Sequence, residues 1–162
     1  MNLMFVFGLL AAFVFGTYWL IRWADLTVTA TQVLPGTNAN LATTTAGVAI
    51  TAGQALYIDS SGVAQLAKAD TAAHAKCAGI ATNNAAASQT VTYQTGGKFT
   101  IGAGAAPTVG TVYVVSRAVA GSLSPWADLQ AGDFVTIVGV ADTSSTITMP
   151  NAGPFATGIA HA

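Results

Sequence analysis

Two short apolar runs, each with a glycine at its centre, constrain the fold most: Cys77-Ala78-Gly79-Ile80-Ala81 and Ile137-Val138-Gly139-Val140-Ala141. The second extends upstream through Phe134-Val135-Thr136 and is apolar enough to be buried on both sides. Short runs rich in Val and Thr, punctuated by Gly, favour strands and turns. A glycine in mid-strand lets another backbone approach, or permits a bulge that bends the sheet round. The surroundings of the two runs also match. With Gly53 laid on Gly110, Ala52-Gly53-Gln54-Ala55-Leu56-Tyr57-Ile58-Asp59 aligns with Val109-Gly110-Thr111-Val112-Tyr113-Val114-Val115-Ser116. Each glycine-centred run is followed by a polar turn and an alternating strand, Gln89–Thr95 in one case and Ser145–Met149 in the other. The unit is therefore turn with Gly, strand, loop, buried strand, turn, strand. Two such units close a small β-barrel or sandwich of two similar halves, neither stable alone. Lys98-Phe99-Thr100-Ile101 adds a strand between the halves.

Composition supports a mainly β chain. Glu is absent, and only 7% of the 162 residues are charged. Long exposed helices lean on Glu and Lys, so the bulk of the chain is not helical. The net charge is −1 with no basic patch, which disfavours nucleic acid as a partner. So few charges suit a large assembly better than a solitary soluble protein. Cys77 is the only cysteine, which excludes an internal disulfide and a cysteine-based zinc cluster.

The N-terminus has a different character. Residues 3–21 carry no charge and are mostly apolar, and the first charge is Arg22. As a helix this run spans roughly 28 Å, close to the hydrocarbon thickness of a bilayer. Tyr18, Trp19 and Trp23 crowd one end beside Arg22, as an interfacial belt would. The run is weaker as a signal peptide, for it has no Lys or Arg at its start and no small-x-small site after it. The expected organisation is an apolar helix over 1–23, an extended polar arm over 24–46, a β-domain over 47–150 and a C-terminal tail over 151–162. In the arm, Thr27-Val28-Thr29-Ala30-Thr31 alternates at period two, and Pro35-Gly36 marks a turn. Removing the arm is expected to abolish docking and leave the β-domain folded.

Catalytic and metal chemistry is poorly represented. Asp70, His74 and Cys77 share a face only if their segment is helical, and an Ala-rich connector is the better reading. Ile101-Gly102-Ala103-Gly104-Ala105-Ala106-Pro107 fails as a nucleotide loop, because Pro107 occupies the third glycine position and no lysine follows. There is no Gly-x-Ser-x-Gly elbow. Without Glu, paired carboxylates would have to come from scattered Asp. Asp59 and Asp142 precede Ser/Thr-rich turns and read as turn-makers. His161 reads as part of a loose tail. Trp126 either anchors an interface or plugs the end of the barrel. No catalytic residue, cofactor or metal ligand is assigned, and the chain is expected not to be an enzyme.

The stretch Ala78-Gly79-Ile80-Ala81-Thr82-Asn83-Asn84-Ala85-Ala86-Ala87-Ser88-Gln89-Thr90-Val91-Thr92-Tyr93-Gln94-Thr95-Gly96-Gly97 resembles the capsid cement, or head decoration, proteins of tailed bacteriophages. Members carry a buried strand ending in Gly-Ile/Val-Ala, an Ala- and Gly-rich turn, then a strand of the form Gln-x-Val-Thr-Val-Gln-Thr-x-Gly. The likeness continues through Ile50–Gln54, Gly110–Ser116 and Ala131–Ala141, and covers roughly residues 24–150. It implies a small β-barrel-like, non-enzymatic domain on the outside of a virion capsid. It also implies a homo-oligomer, often a trimer, that clamps neighbouring major capsid subunits. Family members often start near the equivalent of Ala24, so residues 1–23 are an extension. Phe5, Leu9, Phe13 and Leu20 are then expected to pack between copies or against the shell, with Trp23, Val28 and Trp126 as further interface candidates. The alternative is a membrane-anchored surface protein with residues 3–21 in a bilayer. A pilin-like filament subunit is a third reading.

Overall fold

The structure is a computed structural model that describes residues 33–101 and 106–162. The helix expected over 1–23 lies outside the described residues, and so do Phe5, Leu9, Phe13, Leu20, Trp23 and Val28. Among the described residues no helix is long and apolar enough to cross a membrane.

The described chain is mainly β. Its strands are β1 (Leu34–Pro35), β2 (Asn40–Thr45), β3 (Ala55–Ile58), β4 (Ala64–Leu66), β5 (Cys77–Ala81), β6 (Thr90–Thr100), β7 (Val112–Val115), β8 (Leu123–Pro125), β9 (Phe134–Ala141), β10 (Thr146–Met149) and β11 (Phe155–Ala160). A single 3-10 turn covers Trp126–Asp128. The strands form one curled antiparallel sheet, a half-barrel, in the order β4-β3-β5-β6-β10-β9-β7-β8. β1 and β2 lie along β6, and β11 lies along β9.

The order is a palindrome of two four-strand units, and their registers coincide. In the first unit Ala55 faces Ile80 and Leu56 faces Gly79; a bulge then brings Tyr57 opposite Cys77. In the second Val112 faces Val140 and Tyr113 faces Gly139; the same bulge brings Val114 opposite Ile137. The Tyr57–Gln65 pair of the β3–β4 hairpin corresponds to the Val114–Ser124 pair of β7–β8. The entry turns match as well. Gly53 N–H donates to the Ala81 carbonyl (2.7 Å) and Gly110 N–H to the Ala141 carbonyl (2.8 Å). The central glycines have the same cause in both units. A Cβ on Gly79 would collide with the Gln94 carbonyl, and a Cβ on Gly139 with the Thr148 carbonyl. Neither strand could take a side chain there without moving its neighbour's backbone.

What joins the units is β6. Lys98–Thr100, expected as part of a separate strand, continue from Thr90–Thr95 in one strand of 11 residues. Its first half pairs with β5 and β2, its second with β10 and β1. The bend between them falls at Gly96-Gly97. Gly97 has φ +85° and lies against the backbone of Asn38 and Ala39, a position closed to any side chain. Gln94, fully buried, braces the bend: its amide nitrogen donates to the carbonyls of Gly96 (2.8 Å) and Lys98 (3.0 Å).

Burial follows this plan. One cluster spans both units and holds Ile80, Phe99, Ile101, Tyr113, Leu123, Val138, Ile147 and Met149. A smaller one lies within the first unit around Leu56 and Val91. A third, with Val114, Leu129 and Val135, lies in the second and also takes in Ala69. Backbone bonds tie the far ends together, from Gly121 N–H to Ala67 O (2.7 Å) and from Ala69 N–H to Ser116 O (3.0 Å).

Three expectations need correction. Leu34–Pro35 and Asn40–Thr45 of the arm are paired strands and Val33 is buried, so a cut at residue 46 would remove part of the sheet. The tail is not loose, because Phe155–Ala160 pair with β9 and the His161 backbone bonds Asp133 and Gly132. The third concerns one of the two readings of Trp126: at 41% exposure its side chain is too open to solvent for a buried plug.

Candidate functional site

The residues singled out by chemistry gather on the first unit. β4 runs into an Ala-rich connector, residues 67–76, that is turn rather than helix. One local bond, Ala75 N–H to Thr71 O (3.0 Å), gives it a single helical turn. That turn places His74 beside Asp70, with Nδ1 2.8 Å from a carboxylate oxygen. Lys68 approaches the other oxygen at 3.6 Å. Desolvation alone would raise the Asp70 pKa, but the hydrogen bond from His74 and the nearby positive charge hold it below the ordinary value.

Cys77 does not join them. Its side chain is turned into the core, with Sγ 3.5 Å from the Gly79 carbonyl, and burial pushes the thiol pKa up to about 12. A three-ligand site is therefore not assembled, and no group of three potential ligands occurs among the described residues.

The Tyr57 ring lies 5.3 Å from the His74 ring, tilted by 40°. Together with Val48, Ala49, Leu66 and Ala120 these residues line an open groove of about 520 Å³. Gln65 closes one side, anchored by a 3.1 Å bond from its amide nitrogen to Asp59. That bond lowers the Asp59 pKa, against desolvation, and amide donors from Ser61 and Val63 lower it further. Asp59 is thus the turn-maker its sequence context suggests. Asp142 is not: it accepts from Thr148 (2.8 Å) and pairs with Lys98, the main reason its pKa is lowered, while the Thr143 hydroxyl accepts from the turn amides of Ser145 (3.2 Å) and Thr146 (3.0 Å).

The second unit exposes apolar side chains. Val140 is exposed on β9, with Thr148 beside it on β10. Val109, Leu34, Leu41 and Ile159 are also exposed. Trp126 meets the His161 ring edge-on at 5.9 Å, so the C-terminal strand closes against the 3-10 turn. Below it Arg117 Nε is 2.9 and 2.8 Å from the two carboxylate oxygens of buried Asp133, which also accepts from Gln130 N–H (2.8 Å). Sequence reasoning missed the groove because its walls come from residues 48 to 120, and no local motif contains them.

The chain matches no protein-family model and no curated protein.

Proposed function

We propose that this chain is a structural virion protein that binds the outside of a phage capsid and cements neighbouring major capsid subunits. The observation that carries the reading is where the resemblance falls. Its segment Ile50–Gln54 holds the entry turn of the first unit and Gly110–Ser116 the entry turn and β7 of the second, while Ala78–Gly97 spans most of β5 and β6 and Ala131–Ala141 supplies β9. The likeness to decoration proteins therefore lies in the framework, in order, rather than in scattered loops. In this reading the chain is a duplicated β-barrel unit that acts as a homotrimer. Low charge and exposed apolar side chains such as Val140 and Trp126 suit a surface that is covered in an assembly. Binding comes from avidity: each oligomer touches several capsid subunits, so weak single contacts suffice. Residues 1–32 lead into the sheet at β1, and the apolar run 3–21 packs between copies or against the shell.

The test mixes undecorated shells with the full chain and with a variant starting at Val33, which keeps every described strand. The full chain should co-sediment with shells and should run as a trimer in light scattering. The shortened chain should remain folded and lose shell binding. A full chain that ignores shells and needs detergent for extraction would overturn the reading in favour of a membrane anchor.

A further inference from the structure

The two units share a register, so each is a control for the other. Tyr57 and Gln65, which wall the groove, correspond to Val114 and Ser124. Those two are buried, at 0% and 3% exposure, and Val114 is packed with Leu129, Val135 and Ala69. The second unit fills this position with core; the first leaves it open and lines it with an aromatic ring, an amide, an ammonium, a carboxylate and an imidazole. The groove is therefore not a by-product of the fold, which packs solid in the other copy of the same framework.

We propose that this groove is a saccharide-binding site. Lys68 and Asp70 are paired, so the groove presents no strong net charge and fits neither a phosphate nor a cation. Its exposed lining is mostly apolar, and the few polar groups in it set donors beside acceptors, the pattern that pairs with neighbouring hydroxyls. The Asp70 carboxylate holds His74 by Nδ1, which leaves Nε2 for a ligand. Tyr57 supplies a flat ring against which the C–H face of a pyranose can lie, over an apolar floor of Val48 and Leu66. At about 520 Å³ the groove lies in the range of small-molecule sites, and its openness to solvent suits part of a longer chain of sugars. No bond is made or broken; the proposal is of binding alone, and it stands whether or not the chain decorates a capsid.

The experiment is saturation-transfer NMR on the full chain with cellotriose and maltotriose, read on the sugar protons. At least one trisaccharide should receive saturation, strongest on one ring face, with a dissociation constant of roughly millimolar order. Tyr57→Ala should weaken it by about tenfold or more, and Asp70→Asn by at least about fivefold. Because Tyr57 also touches the core, Asp70→Asn is the deciding variant; its circular dichroism should match the parent. The proposal is overturned if neither sugar is saturated, or if Asp70→Asn binds like the parent. Displacement of the sugar by equimolar inorganic phosphate would also overturn it, by making the groove an anion site.

Discussion

The first and second units of the sheet share pairing, bulge and entry turn, yet spend them differently. Around Tyr57 the first unit keeps an open, largely apolar groove with a few polar side chains in its lining, while around Val114 the second keeps a packed core. What is retained is what the backbone cannot do without: a glycine where a neighbouring carbonyl presses in, and a bulge that turns the sheet. What has drifted is side-chain chemistry on strands whose geometry is already secured. Two copies of one framework thus separate structural demand from functional opportunity.

The comparison can be broken most severely at the shared core. Phe99 is fully buried in the cluster that spans both units. Phe99→Ala should cost about 4 kcal/mol in denaturant unfolding. A loss below about 2 kcal/mol would mean the units do not lean on one another. Next come the central glycines. Gly79→Ala and Gly139→Ala should each cost about 3 kcal/mol, because both methyls run into backbone. Similar losses would confirm equivalent roles, and a twofold or greater disparity would show one unit to be the more yielding.

Smaller effects separate the units by chemistry. Asp59, Asp70 and Asp142 all have lowered pKa values. A carboxylate with a depressed folded pKa contributes stability above its unfolded value, near 4, and loses it as pH falls through the folded value. Stability should therefore decline below about pH 4. Asp142→Asn should remove only a small part of that decline, under about 0.5 kcal/mol, since the Lys98 pair is solvent-screened. The smallest effect is at Cys77, whose register counterpart is Ile137. Cys77→Val should change stability by less than about 1 kcal/mol. In the parent, a thiol reagent at pH 8 should label only unfolded protein, since the buried thiol stays protonated up to about 12.

Much of the framework was legible because it is local. A glycine flanked by Ala and Ile, or by Val on both sides, declares an inner strand pressed by its neighbour, although Val140 turns out exposed, and the order of turns and strands declares the repeat. The turn role of Asp59 was equally local, whereas in the next such turn Thr143 takes the amides and Asp142 reaches to Thr148 and Lys98. What escaped was whatever depends on distant partners. Lys98–Thr100 look like a fresh strand because Gly96-Gly97 resembles a terminator, and only contact with Asn38 and the brace of Gln94 turn it into a bend. The tail reads as loose because nothing in Phe155–Ala160 names β9 as its partner. The connector reading of residues 67–76 holds, yet Asp70 and His74 still touch, through a single turn that the sequence does not announce. The inward-facing Cys77 was legible too, since it opens a buried strand as a small apolar side chain.

The bend in β6 has a mechanical consequence. One strand serves as the wall of both units, so neither can open without tearing hydrogen bonds from the other. Pulling the units apart loads that strand along its length, in shear, where many bonds resist together. A molecule built this way should yield all at once or not at all, in a single cooperative transition, and should hand strain from one end to the other without a hinge to absorb it.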